Sequence, residues 1–231
     1  MHILRPLNRY NNGVLFLVSG EGANTKVTRV ADTPGGEVAS AGPDRLILTG
    51  AGQSRLQLGT STEPFATWTN LDLVALLGLR SGEEVRGTSS PASDNQSAYV
   101  GVVTGTPDPK MIENDTNRRA WVVRIDRDGT PTIAYQAQTD ALPVVAARSG
   151  SVSVAIGRAI FSKLGASSWR TEPEAPAIVT SLTSTAKGLV AITTDGACGD
   201  QRNEECRPLS CNLTTDSYLL RPNGWQSIQL P

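Results

Sequence analysis

EEVRGTSS (83–90), SAYVGVVTG (97–105), RAWVVRIDRDG (119–129) and TPTIAYQAQ (130–138) follow one another along the chain. Each run is rich in Val, Ile, Thr or Tyr and is bounded by Gly, Pro, Asp or Ser, the composition and punctuation of a short strand. Asp128-Gly129 sits between the last two runs, and such a dipeptide supplies the positive φ that a tight hairpin demands. Four strands joined in this way form an up-and-down antiparallel sheet.

The same order recurs on both sides. LPVVAARSG, SVSVAIG, AIFSKLGA and SSWRTEP occupy 142–173, and APAIVTSLTS, GLVAITT, SYLLRPNG and WQSIQL fall within 175–230. An earlier copy reads GEVASAGPD, RLILTG, SRLQLGTST and ATWTNLDL over 36–73. A weaker first copy reads HILRPLNRYNNG, VLFLVSGEG and TKVTRVAD, its fourth strand short or missing. Five units averaging roughly 46 residues match the period of four-stranded propeller blades. The expected fold is all-β: a single β-propeller domain over 1–231, with five four-stranded blades at approximately 3–36, 37–82, 83–141, 142–175 and 176–231.

The connections divide by position. Between first and second strands lie Asn12-Gly13, Pro43-Asp44, Ser149-Gly150 and Lys187-Gly188; between third and fourth lie Asp128-Gly129 and Asn223-Gly224. In an up-and-down blade these turns share one end. The other end receives the long connections Gly105–Arg118, Asp195–Asp216 and Val74–Glu83. Loops of more than about 12 residues in a compact domain commonly carry function, so the long-loop end is expected to be the binding face.

Composition narrows the chemistry. The 231 residues carry a formal net charge of −1, so nothing global points to nucleic acid or an anionic membrane. The single histidine, His2, argues against a Ser-His-Asp triad, a Cys-His pair or a His-based metal site. The apolar run Gly13–Val18 is far shorter than the roughly 20 residues of a membrane span and reads as a buried strand. Cys198, Cys206 and Cys211 fall in the single window ACGDQRNEECRPLSC. Such clustering suits a disulfide in an oxidising compartment, pairing Cys198 with Cys206 or with Cys211 and leaving one thiol over. Asn-x-Ser/Thr sequons at Asn95, Asn114 and Asn212 lean the same way, so a periplasmic or secreted setting is expected.

Ser61-Thr-Glu-Pro-Phe-Ala-Thr-Trp68, at the third-to-fourth strand turn of the second unit, resembles a degenerate Asp-box, the Ser-x-Asp-x-Gly-x-Thr-Trp hairpin of sialidase-like and BNR-repeat propellers. Ser162 and Trp169 repeat the separation, and Trp225 follows Pro-Asn-Gly in the last unit. The third unit departs, with Asp126-Arg-Asp-Gly129 at its turn and Trp121 back in a strand; no copy keeps both the Asp and the Gly. The resemblance implies a propeller fold, with the box on the end away from any active site and its Trp wedged against a neighbouring blade. Sialidase activity in that family uses an arginine triad, a Tyr–Glu pair and an acidic acid/base on a longer six-bladed scaffold. Here Leu4-Arg5-Pro6-Leu7 is similar to its Arg-Ile-Pro motif but lacks the Ile.

Other constellations are weaker. Five-bladed glycosidases place two or three carboxylates on inner strands around a central funnel; the inner strands here offer Glu37, Glu83 and Glu84, and the last two, being adjacent, point opposite ways. Asp126–Gly129 is explained by a tight turn rather than a calcium loop, having no downstream bidentate Glu. Asp195, Asp200, Glu204 and Glu205 read as a solvated loop. Val74–Leu79 reads as a short helix or strap, buried in the core or exposed as a contact patch. Seventeen Arg stand against four Lys, a bias that suits protein interfaces. The expected function is therefore a non-catalytic recognition module, without cofactor or metal, that binds a protein partner through its long-loop face. Lys110, Met111, Glu113, Arg118 and Arg119 in one loop, with Arg202, Glu204, Glu205 and Arg207 in the other, are the expected partner-binding residues. One concrete form is an inhibitor or immunity-type protein of a secreted enzyme; the rival is a glycan-binding lectin or glycoside-acting enzyme using the funnel.

Overall fold

A computed structural model describes residues 13–19, 26–33, 37–42, 44–49, 58–62, 67–94, 96–108, 111–139, 141–198 and 211–229. The chain is all-β, built from antiparallel sheets, and divides into two compact units, 1–143 and 144–231. Among the described residues no helix is long and apolar enough to cross a membrane.

The first unit opens with a hairpin of β1 (Gly13–Ser19) and β2 (Lys26–Thr33). A four-stranded meander follows: β3 (Glu37–Ser40), β4 (Arg45–Thr49), β5 (Leu58–Thr62) and β6 (Thr69–Asn70). After the helix α1 (Leu73–Leu77) comes a five-stranded sheet of β7 (Glu84–Thr88), β8 (Ala92–Ser93), β9 (Ser97–Asp108), β10 (Met111–Asp126) and β11 (Pro131–Gln138). Its order is β11-β10-β9-β7, with β8 also paired to β9. The second unit holds two meanders of four strands. One comprises β12 (Val144–Arg148), β13 (Ser151–Ile156), β14 (Ala159–Leu164) and β15 (Arg170–Thr171). The other comprises β16 (Ile178–Thr185), β17 (Gly188–Cys198), β18 (Cys211–Arg221) and β19 (Gly224–Ile228).

Period-two alternation sets the cores. In the first unit Ala98, Val100 and Val102 of β9 and Trp121, Val123 and Ile125 of β10 point to one face, where they meet Ala41, Ile47 and Leu58. Leu73 and Leu77, one helical turn apart, close this cluster. Their helix starts where the Asp72 side chain accepts the Ala75 N–H at 3.0 Å and stops at Gly78, whose φ of 57° is the left-handed C-terminal cap. Val74–Leu79 is thus a short helix whose leucines belong to the core, with Val74 alone of its large apolar residues exposed. In the second unit Ala146, Ala155, Ile160, Val179, Leu182, Leu189 and Ala191 form the corresponding core, with Trp225 packed against it. The Trp225 Nε1–H donates to Pro173 O at 2.9 Å, so this ring both fills the core edge and ties down the connection between its two sheets.

Among the described residues the tight turns at Asp128-Gly129, Ser149-Gly150, Lys187-Gly188 and Asn223-Gly224 lie where sequence places them, while Asn12 and Pro43 lie outside the described residues. Ser149 and Gly150 both have positive φ, 49° and 76°, as a two-residue hairpin turn requires. At Asp126–Gly129 the Gly129 N–H donates to Asp126 O and the Thr130 N–H to the Asp128 side chain; that second bond holds the Asp128 carboxyl below the usual carboxylate range. This turn also clamps two sheets. Arg45, at the start of β4, donates from Nε to Arg127 O at 2.9 Å and from Nη2 to Asp128 O at 3.0 Å. A Cβ on Gly129, whose φ is 91°, would lie 2.6 Å from the Arg45 guanidinium. Gly129→Val is therefore expected to lower stability by about 2 kcal/mol or more, through backbone strain and a broken clamp together. Gly224→Val is the control. Its φ of 105° carries the strain, but nothing lies within 4 Å of the added carbon, so thermal melts should rank it clearly milder.

Two connections expected to be loops are strand in their described parts. Within Gly105–Arg118, residues 105–108 end β9 and residues 111–118 begin β10, paired at Thr106 with Thr116 and at Asp108 with Met111. Asp195–Asp216 begins and ends as the continued ladder of β17 and β18, down to Cys198 opposite Cys211. Pro, Asp and Asn make both stretches read as loops, but a hairpin that supplies its own partner tolerates them better than a central strand does.

Candidate functional site

The most elaborate polar arrangement among the described residues surrounds the base of the β9–β10 hairpin. Glu83, just before β7, is buried, with its side chain only 3% exposed. Its Oε1 accepts from Arg119 Nε at 2.8 Å and from Thr104 Oγ1 at 2.7 Å; its Oε2 accepts from Arg119 Nη2 and from the Arg80 backbone N–H. The two-pronged fit is the geometry that a planar guanidinium offers a carboxylate. Thr104 in turn accepts from Trp121 Nε1 at 3.0 Å, and the Arg119 guanidinium lies 4.6 Å above the Trp121 ring. Burial pushes the Glu83 carboxyl up, but the hydrogen bonds from Arg119, Thr104 and Arg80, with the Arg119 charge, outweigh it and bring the group to about 2.

A second ion cluster stands beside the first. Asp115, with its side chain 4% exposed, accepts through Oδ2 from Arg86 Nε of β7 at 2.8 Å and from Arg118 Nη2 at 3.3 Å. Arg86 also reaches the exposed Glu84 at 3.4 Å. The backbone before Arg119 is irregular: the register slips on both sides of Thr116, and Asn117 has a φ of 52°. Gly105, opposite, leaves the space; a Cβ there would lie 3.0 Å from Asp115 Cβ. A bulge bends its strand and increases the local twist, and here the Asp115 ion pairs with Arg86 and Arg118 tie the irregular stretch to β7.

Arg118 and Arg119 accordingly do not stand in a loop as expected but in β10. Arg119 is held inward by Glu83, and Arg118 is only 31% exposed. Met111 and Glu113 lie on the same strand toward the hairpin tip. Lys110, Arg202, Glu204, Glu205 and Arg207 lie outside the described residues, as do Cys206, Asp200 and Asn95. Cys198 and Cys211 face each other in the ladder, and the structure holds no disulfide among the described residues. Of the inner-strand carboxylates, Glu37 opens β3 and is half-buried, Glu84 opens β7 and is exposed, and Glu83 is consumed by Arg119.

The Glu83 pairing could not be found by inspection, because its members lie far apart in the chain and meet only through sheet register. Chemically the arrangement is an anchor. A carboxylate held near 2 with both oxygens occupied neither donates nor takes a proton near neutral pH, whereas a general acid needs a raised value. The Asp-box-like stretches span the third-to-fourth strand turns of their sheets, from Ser61 in β5 and from Ser162 in β14. Ser61 Oγ donates to Thr67 O at 2.6 Å, and the Trp169 ring packs under Lys163 at 5.2 Å.

Comparison with known proteins adds little. No family model matches the chain, and no curated protein matches it. Among solved structures it is similar to a glycosyl hydrolase from Bacteroides ovatus, with 9% identity and a TM-score of 0.40, over 84% of this chain and 70% of that one. At that distance neither the neighbour's fold nor its chemistry carries over.

Proposed function

We propose that the sheets are blades of a five-bladed β-propeller, and that the chain is a non-catalytic recognition module binding a protein partner through hairpins that extend past their sheets. A periplasmic or secreted setting fits this reading, with an inhibitor or immunity-type protein of a secreted enzyme as its concrete form. The observation that carries it is the β9–β10 hairpin. β7 pairs with β9 only as far as Gly105, and the β11 side reaches β10 only as far as Arg118, whose carbonyl accepts the Thr139 N–H at 3.3 Å, so among the described residues the ladder pairs Thr106–Thr116 and Asp108–Met111 lie beyond both neighbouring strands. A paired, rigidly based finger loses less conformational freedom on binding than an open loop of the same length does. β13 and β14 make the same connection with the short Gly157-Arg158 turn, so the sheet itself does not require the extension.

The test is to replace 107–114 by an Asn-Gly turn, which keeps Asp115 and its arginines. The full and shortened chains are immobilised and exposed to the extracytoplasmic protein fraction of the source cells. The expected result is a protein retained by the full chain and lost by the shortened one, with the melting temperature unchanged. Retention by both refutes the hairpin as the contact. The second reading, a glycan site in the funnel, rests on Glu84, the exposed carboxylate at the start of an inner strand. Glycan-array binding that Glu84→Gln removes and the shortened hairpin keeps would establish it in place of the first.

A further inference from the structure

We infer that the tight-turn end of the second unit is a docking surface for an acidic protein segment that carries apolar residues among its carboxylates. The charges of this unit are sorted by end. β12 runs up to the Ser149-Gly150 turn and β14 returns to it, where the Gly165 N–H donates to Gly150 O at 2.9 Å. β16 and β18 run up to their own turns, at Lys187 and at Pro222-Asn223. These turns share one end, because at the other end the β13–β14 turn meets the start of β16, with the Val179 N–H donating to Gly157 O at 2.9 Å. Arg148, Lys163, Lys187 and Arg221 stand at or beside the tight turns, and no described Asp or Glu does. The described carboxylates of the unit all lie toward the opposite end. Glu172 and Glu174 fall in the connection whose N–H groups bond Ile160 O and Arg158 O. Asp195 follows Thr194, the partner of Ile178 at the start of β16, and Asp216 pairs with Thr193.

Elsewhere in the unit cations are satisfied: Arg170 meets Glu172 at 2.7 Å, and Arg158 Nε donates to Ala175 O at 3.0 Å. At the tight-turn end the cations gather without a described counter-charge. Arg221 Nη1 donates to Lys187 O at 3.3 Å, which sets these two residues side by side, and Lys163 lies over the Trp169 ring. Arg148, Lys187 and Arg221 are exposed. Such a group repels itself and draws an anion. Its shape says which anion. Arg148 and Leu164 both pair with Ser151, one from each side, so their side chains leave from one face of the sheet. That is the face of Ala146 and Ile160, turned to the second meander and its Lys187 turn. Leu164 is 66% exposed, the most of any large apolar residue described. Guanidinium forks around an apolar point suit carboxylates spaced by an apolar side chain, whereas a sulfated glycan offers Leu164 nothing. The β17–β18 ribbon leaves the unit from the opposite end, so this surface stands apart from the hairpin reading.

The experiment follows the full chain binding two fluorescent probes by anisotropy: a random glutamate–tyrosine copolymer and heparin. The copolymer is expected to bind, and to weaken as salt rises from about 20 to about 200 mM. Arg148→Glu with Lys187→Glu should weaken it about tenfold or more at unchanged melting temperature, since exposed charges add little to stability. Leu164→Ser should weaken it as well. Arg170→Ala, which removes a cation already held by Glu172, should leave it as it was, and so should the shortened β9–β10 hairpin. No binding at low salt, equal loss in Arg170→Ala, or indifference to Leu164→Ser overturns the inference. Heparin held by the patch while the copolymer is not would make the partner an anionic polysaccharide and overturns it too.

Discussion

Replacing Arg119 by alanine should lower the stability of the first unit by about 3 kcal/mol, although the residue stands at the base of a hairpin. The change leaves Glu83, with its side chain 3% exposed, as a buried carboxylate stripped of its guanidinium partner, and it removes the cation from the Trp121 face. The effect should depend on pH with a definite sign. In the parent the Glu83 carboxyl titrates near 2 against an ordinary value of 4.5, so its contribution is complete above about 4.5 and is lost as pH falls through about 2. In Arg119→Ala, burial acts without its main counterweight and raises the Glu83 value. The variant then recovers stability relative to the parent as acid neutralises the carboxyl. Urea denaturation at neutral pH and near pH 4 should show the gap between the two chains narrowing. Glu83→Gln on top of Arg119→Ala should recover part of the loss at neutral pH, since a neutral amide tolerates the site better. An exposed-loop arginine would show none of this, and a gap that is small and independent of pH would remove Glu83–Arg119 as an anchor.

That expectation departs from the one drawn from sequence, where Arg118 and Arg119 read as partner-binding residues of a loop. The strand-and-turn alphabet was legible because it is local: Ser149-Gly150, Asp128-Gly129 and Asn223-Gly224 announce hairpins whatever surrounds them, and β-branched runs between them announce strands. The direction of a side chain near a strand end is not local. Arg119 turns inward because Glu83 and Thr104 arrive from two other segments of the chain, with Trp121 two residues along its own strand beneath the guanidinium. The same holds for the hairpin. A stretch holding Pro107, Pro109, Asn114 and Asn117 has the composition of a loop, and only its self-pairing makes it a ribbon. Arg45 is a third case: nothing in RLILTG announces that its first residue closes a turn more than 80 positions away.

Gly101→Ala should destabilise the first unit by about 3 kcal/mol, at the upper end of what one added methyl costs in a well-packed interior. Gly101 lies in the middle of β9, where its φ carries no strain, so conformational freedom is not the reason. The reason is contact. A Cβ there would lie 2.0 Å from Pro143 O and 2.9 Å from both the Pro143 carbonyl carbon and Ser89 Oγ. Neither neighbour yields cheaply. Ser89 Oγ accepts the Gly101 N–H at 2.8 Å while the Ser89 N–H donates to Gly101 O at 2.8 Å, so moving Ser89 breaks a buried pair of bonds. The atoms met at Pro143 are backbone, its carbonyl oxygen and carbon, which cannot swing aside as a side chain does. A glycine inside a strand pattern signals such a close approach in general terms, but nothing in the sequence names Pro143 as the residue that approaches. Gly59→Ala separates this cause from the propensity of glycine itself. It also sits inside a strand, β5, but its added carbon would meet nothing nearer than 3.6 Å, an ordinary van der Waals contact. The two variants should therefore differ by about 2 kcal/mol or more in chemical denaturation. If they lose stability equally, the Pro143 carbonyl does not press on β9.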